Sequence, residues 1–266
     1  MAEPRRHAEV SGVLSSVHRA LQVLEVVAEV GDGVTAKAVA RRLDFKLPTT
    51  YHLLNSLVAE GYLVHLDDAR GYGLGYKVAE LNDRLRSQLR VSGQIAAILH
   101  EVHEGSQAAA YYTVFRDADV VVAHVDDCEE HPRVRPLDVG FDRAVHALAY
   151  GKVMLAELAP NLLSARVGAG ELPQHTPRTL ASLPELTREL AHVRAAGIGI
   201  EIEEFQKGLA CVAAPVRDAS GTVTGAVAVS VTPEDFAQRR WRLERWVRTG
   251  ASRAARTLAH ANSPGQ

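Results

Sequence analysis

Apolar residues recur at helical spacing through most of the first ninety positions, broken at intervals by glycine, proline and short polar runs. Leu21, Leu24, Val27 and Ala28 share one face of a helix predicted over 17–30, with Ser15 or Ser16 to cap it and Gly31 to end it. Thr35 can cap a second helix whose Ala36, Val39, Ala40 and Leu43 form the apolar side, leaving Lys37, Arg41 and Arg42 on the other. Residues 44–46 interrupt the pattern. Pro48 then suits the first turn of a third helix, where its missing N–H has no helical partner to lose. Leu53, Leu54, Leu57 and Val58 make the inward stripe of that helix, and Gly61 follows the last periodic residue as a stop. Residues 62–66 and 71–74, around the polar turn 67–70, read as a short hairpin.

Helix, turn, helix and wing is the order that lays a helix in a DNA groove. On the third helix Thr49, Thr50, His52 and Asn55 are left facing outward with Tyr51 among them, while Arg41 and Lys46 sit where a phosphate backbone would pass. Two amphipathic helices and a hairpin also occur in domains that never touch nucleic acid. Charge does not decide between the two, because residues 1–75 hold eight Lys plus Arg against nine Asp plus Glu. Counterion release is therefore modest per protomer, and a dimer is needed for tight binding.

Beyond the hairpin, Val78, Leu81, Leu85 and Leu89 recur at helical intervals, which predicts a linker helix over 76–90. Further on the period alternates between helix and strand. Residues 94–104 form a helix ended by Gly105; AAAYYTVF and DVVVAHV, separated by 116–119, form a hairpin; 144–158 is a helix. Ser182-Leu183-Pro184-Glu185 is a capping box opening a helix that runs to Gly197. Residues 209–216 and 222–231, joined by 217–221, make another hairpin, and Pro233 starts a terminal helix. Strands bracketing helices in this order imply an α+β second domain, a mixed sheet with helices packed on it.

The 266 residues are 47% hydrophobic with a formal net charge of −2, material for two cores and no coat of positive charge. No apolar run has the length of a transmembrane helix, and MAEPRRHAEV lacks the core of a signal peptide, so a cytoplasmic protein is expected. Cys128 and Cys211 lie far apart, offering neither metal-ligand spacing nor a disulfide framework, and are read as reduced thiols. There is no G-x-S-x-G, no HExxH and no phosphate-cradling glycine loop. Glu201, Glu203 and Glu204 form a carboxylate cluster in which Glu201 and Glu203 would share a strand face. Three acids at a strand end are more often solvated than catalytic, so no catalytic residue, metal site or cofactor is assigned.

Several runs together resemble the IclR family of bacterial transcriptional regulators: SVHRAL at 16–21, AVARRL, TTYHLLNSLVAEGYL, the YGLG that closes the wing, HALAYGKVMLAEL at 146–158, and GIGIEIEEFQKGLACVAAPVRDASGTVTGAVAVS at 197–230. Their order carries the resemblance. It implies a winged helix-turn-helix domain, a linker helix that helps pair protomers, and a GAF-like α/β effector-binding domain. It also places effector-contacting positions at Ala149, Tyr150, Glu201, Cys211, Ala228 and Ser230. Tyr150 departs from the small residue usual there, and Ala228 replaces one of two polar positions, which implies an effector other than the small oxo-acids some relatives sense. His52 stands where relatives commonly carry arginine, and Pro48 where serine is frequent. A neutral imidazole lacks the bidentate fork, so base choice at that contact differs.

The expected organisation is a flexible arm (1–12), a winged domain (13–75), the linker helix (76–90), an effector-binding and oligomerisation domain (91–261) and a flexible tail (262–266). The expected function is a homodimeric or dimer-of-dimers regulator, not an enzyme and without a membrane partner, which binds a pseudo-palindromic double-stranded operator under control of a small-molecule effector. Two alternatives remain open at this point: a DNA-binding regulator whose second domain has lost its ligand and serves only assembly, and a small-molecule hydrolase or lyase with an accessory winged domain.

Overall fold

The computed structural model describes residues 14–66, 71–117, 119–168 and 170–261. The chain divides into two compact units between Leu85 and Arg86.

In the first unit, helices α1 (Ser15–Val30), α2 (Ala36–Leu43) and α3 (Leu47–Ala59) precede an antiparallel hairpin of β1 (Leu63–Leu66) and β2 (Gly71–Leu74). Thr35 caps α2, its Oγ1 accepting from the Ala38 N–H at 3.2 Å. Pro48 lies in the first turn of α3, and Gly61 follows that helix with φ 79°. Val34 bridges to Tyr72 and ties the loop before α2 to the hairpin. The core gathers Val23, Val26, Val27, Val39, Leu54, Leu57, Leu63 and Tyr72. The expected turn at 67–70, like the arm at 1–12 and the tail at 262–266, lies outside the described residues.

Two expectations for this unit are corrected. Neither Ser15 nor Ser16 caps α1, since both lie inside it and the N-cap is Leu14, which makes no side-chain cap bond. Its inward face is also rotated. Val23, Val26 and Val27 are buried, whereas Leu21 is half exposed and Ala28 exposed, because the packing partners α2, α3 and β2 select one arc of a helix that is apolar over more than one.

Helix α4 (Tyr76–Gln88) spans the division and buries none of its residues; Tyr76 is 87% and Leu81 45% exposed.

The second unit contains α5 (Gly93–Ser106), β3 (Ala109–Arg116), β4 (Asp119–Asp126), α6 (Ala149–Leu155), α7 (Pro160–Val167), α8 (Leu183–Ala196), β5 (Gly199–Ile202), β6 (Ala210–Arg217), β7 (Val223–Val231) and α9 (Pro233–Ala261). The five strands form one sheet in the order β4-β3-β7-β6-β5, and every pairing is antiparallel rather than mixed as expected. Alternate residues face two cores. Ala109, Tyr111, Cys211, Ala213 and Ala228 meet α6 and α8 on one side, and Ala110, Tyr112, Val212, Ala214 and Val229 meet α5 and α9 on the other. Ser182 caps α8: its Oγ accepts from the Glu185 N–H and donates to the Glu185 carboxylate.

Two glycines act by closeness, not as helix stops. Gly105 sits inside α5 against the Trp246 ring, and the helix runs on to a left-handed cap at Gln107, φ 52°. Gly151 lets α6 pass the Val145 carbonyl with no room for a Cβ. The helix expected over 144–158 is accordingly broken. A 3-10 turn (Val145–Ala147) and an extended Leu148 precede a helix of seven residues. Two elements, α7 and β5, had no counterpart in the sequence reading.

Candidate functional site

The outward face of α3 carries Tyr51, His52, Asn55 and Ser56, all exposed, with Thr49 half-buried at its start. Leu54 and Leu57 on the opposite side anchor the helix in the core. Lys46 precedes it and Arg41 lies in the last turn of α2, both exposed. Arg42 is committed elsewhere, its guanidinium donating to Glu29 at 2.6 Å. Thr50 does not face outward as expected. It is fully buried and its Oγ1 donates to the Lys46 carbonyl, because a threonine one turn before Leu54 presents its methyl to the core while the hydroxyl is satisfied by its own helix. The exposed set on this face is thus Tyr51, His52 and Asn55, with Lys46 and Arg41 exposed nearby in sequence.

In the second unit one register row crosses the sheet: Glu201 pairs with Cys211, Cys211 with Ser230, and Ser230 with Ala109. Residues in register on adjacent strands point to the same side, so three of the candidate ligand positions form a line under α6. Ala228 belongs to the next row, beside Tyr111, and Ala149 and Tyr150 descend from α6 into the same core. All six candidates are buried and brought together.

Their polar atoms form a partly completed network. Tyr111 and Ser230 share a hydrogen bond of 3.0 Å, and the Val134 N–H donates to the Tyr111 oxygen. Burial pushes the Tyr111 phenol up to about 12. Glu201 Oε2 accepts from the Glu204 N–H at 3.0 Å, and burial pushes its carboxyl up to about 7. The Cys211 thiol lies against that carboxyl and is raised well above the ordinary thiol range by burial first and Glu201 second, so it stays protonated and is no nucleophile. Tyr150 OH, Glu201 Oε1 and Glu204 Oε2 have no hydrogen-bond partner. A buried polar group left so costs roughly 1–3 kcal/mol, which a bound molecule can return.

Beneath the row lies a buried ammonium. Lys152 Nζ donates to Glu204 Oε1 at 2.5 Å, to the Ile200 carbonyl at 3.0 Å and to Glu189 at 3.4 Å. The sequence reading missed Tyr111, Lys152 and Glu204 as members of this site. Tyr111 was within reach, because strand parity sets it on the Ala109 face. Glu201 and Glu203 do not share a face: Glu203 turns left-handed at φ 58° after the strand ends, and the cluster is not solvated, with Glu201 fully buried.

Residues 16–67 match the family model described as the IclR helix-turn-helix domain, and residues 85–259 match that of the bacterial transcriptional regulator IclR C-terminal domain. The chain belongs to the IclR family. Among its relatives are the HTH-type transcriptional repressor AllR of Klebsiella pneumoniae, 29% identical over 83% of each chain, and the HTH-type transcriptional regulator BhcR of Paracoccus denitrificans, 27% identical over 84% of this chain and 79% of that one. The fold is that of the Thermotoga maritima IclR structure, at 20% identity, a TM-score of 0.68 and coverage of 92% and 98%. An IclR homolog from Microbacterium hydrocarbonoxydans, solved with 4-hydroxybenzoate, shares it at 20% identity, a TM-score of 0.67 and coverage of 93% and 100%. The family and these relatives are transcriptional regulators, and this IclR-type chain is a regulator, not an enzyme. Among the described residues no helix is long and apolar enough to cross a membrane.

Proposed function

We propose that this IclR-type regulator reads a pseudo-palindromic operator through Tyr51, His52 and Asn55 of α3, with Arg41 and Lys46 on the phosphates. A small-molecule effector enclosed by Ala149, Tyr150, Glu201, Cys211, Ala228 and Ser230 biases the arrangement of its DNA-binding domains. The observation that carries the effector reading is the buried polar row and its neighbours beneath α6, where Tyr150 OH, Glu201 Oε1 and Glu204 Oε2 are left unpartnered. A domain used only for assembly gains nothing from burying a carboxylate there. Tyr150, only 1% exposed, favours a second reading in which the ring fills the pocket and the domain only assembles; its unpartnered hydroxyl counts against that.

We place the working boundaries at 13–75 for the winged domain, 76–90 for the linker and 91–261 for the effector domain. The protein acts in the cytoplasm, where its operator is. Helix α4 pairs protomers in a dimer or dimer of dimers, because Tyr76 and Leu81 are exposed on a helix that buries nothing within its own chain. The test is a gel-shift titration on the intergenic DNA beside the gene. His52→Ala and Asn55→Ala each weaken binding about tenfold with an unchanged melting temperature, whereas unaltered affinity refutes the assignment of α3. Leu81→Asp with Leu85→Asp elutes as monomer on a sizing column; persistence of the oligomer refutes pairing through α4.

A further inference from the structure

On the opposite side of the sheet from α6, a cavity of about 420 Å³ opens between β3, the start of α5 and the end of α9. That is within the range of small-molecule pockets. Val91, Ile95, Tyr112, Val114, Ala123 and Leu258 give it apolar walls, drawn from the core under α5 and α9 and not from the one that holds the row under α6. It belongs wholly to the second unit and reaches Gln88 at the end of α4.

Arg90 and Arg116 are the charged residues that line it, and both are exposed. Arg116 lends one nitrogen to Gln88 Oε1 at 3.0 Å, whereas the Arg90 guanidinium has no hydrogen bond or ion pair among the described residues. No carboxyl group lines the cavity. On the neighbouring elements, Glu101 of α5 is paired with Arg253 of α9, Asp126 of β4 lies 3.3 Å from His100, and Asp119 at the start of β4 is paired with Arg166. Asp117 is exposed in the turn beyond Arg116.

Tyr112 supplies the polar atom inside. It is 4% exposed, and its hydroxyl makes no hydrogen bond among the described residues. Tyr112, Val114 and Arg116 alternate along β3 and so face one side. Gly225 pairs with Val114 in register, and a Cβ placed on Gly225 would lie 3.2 Å from the Tyr112 hydroxyl. The phenol therefore leans along the strand toward Arg116, over a glycine that brings no side chain to cover it. Burial raises it above the ordinary phenol range, so it stays protonated and can donate.

We propose that this cavity is a second ligand site, separate from the row under α6, and that it takes a carboxylate carried on an apolar body. One carboxylate oxygen accepts from the Tyr112 hydroxyl and the other from the Arg116 guanidinium, while Arg90 adds positive charge at the mouth. The body lies on Ile95, Val114 and Leu258. Two directed donors suit two oxygens that share one charge. A carboxylate too short to reach the apolar walls forfeits the gain from burying them.

Octanoate, 1-octanol and butyrate separate head from body in ligand-observed NMR titrations of the full chain. Octanoate is expected to bind about tenfold more tightly than either of the others. Arg116→Gln is expected to weaken octanoate about tenfold and leave octanol unaltered, and Tyr112→Phe to weaken octanoate about fivefold without lowering the melting temperature. Equal affinity for octanoate and octanol, or octanoate binding that neither substitution touches, overturns the site, as does an absence of binding by all three probes. Tighter binding of octyl phosphate than of octanoate overturns the carboxylate class.

Discussion

Replacing Lys152 by methionine tests the buried polar layer most directly. The side chain is 1% exposed, and methionine keeps its length and volume while removing three hydrogen bonds. What then matters is the carboxyl left behind. Glu204 is 14% exposed at its side chain, and burial raises its pKa even with the ammonium beside it. Without the ammonium it escapes its charge by binding a proton. From an ordinary value of 4.5 that uptake costs about 3 kcal/mol at pH 7 and about 0.7 at pH 5, at about 1.4 kcal/mol per pH unit. Glu189 adds little, being one-third exposed and at 3.4 Å. Lys152→Met is therefore expected to destabilise the second unit by about 3 kcal/mol at pH 7, within the range for breaking a buried pair, and by about 2.7 kcal/mol less at pH 5. Lys152→Met with Glu204→Gln should recover most of the loss. Both tryptophans, Trp241 and Trp246, lie in α9, so fluorescence-monitored urea unfolding reports on this unit. A single variant within 1 kcal/mol of the parent at pH 7, or a penalty equal at both pH values, refutes the claim that Glu204 depends on this ammonium.

Further outcomes concern single positions. Gly105→Ala places a methyl in the Trp246 ring, so calorimetry should show a lower melting temperature although alanine normally favours a helix interior by 0.5–1 kcal/mol. Glu201, raised from 4.5 to about 7 by burial, contributes stability that is fully present below pH 4.5 and lost as pH rises through 7; Glu201→Gln should flatten that decline in denaturation series from pH 5 to 8, and an unchanged slope would exclude Glu201 as its source. Thr50→Ala, at a buried site, should lower stability by about 1 kcal/mol in urea unfolding, setting it apart from His52→Ala, which should leave stability unaltered.

Where the sequence pattern succeeded, a single local rule decided the outcome. Thr35 and Ser182 cap their helices as read because an N-cap needs only a side-chain oxygen and the next turn's N–H groups. It failed where two rules competed. Helix α1 has more apolar residues than one face needs, and its packing against α2, α3 and β2 settles that Val23 and not Leu21 turns inward. Gly105 carries the composition of a helix stop, yet its role comes from a ring 141 positions later in the chain. Glu204 read as part of a solvated acidic cluster and Lys152 drew no reading of its own, because partners on different elements leave no trace in local periodicity. The proposed ligand positions were legible only through family resemblance. Their convergence is a product of strand register, which joins Glu201, Cys211 and Ser230 across gaps of 10 and 19 residues.

That row of small side chains has an evolutionary consequence. Cys211 and Ser230, with Ala109, Ala213 and Ala228 beside them, sit on strands whose backbones are held by neighbouring strands on both sides. Exchanges among alanine, serine, cysteine and threonine at these sites alter one methyl, thiol or hydroxyl and leave the ladder intact. On the proposed effector reading, a lineage bearing this sheet retunes its chemical taste by single conservative steps, keeping the scaffold that carries the signal while the molecule it answers to changes.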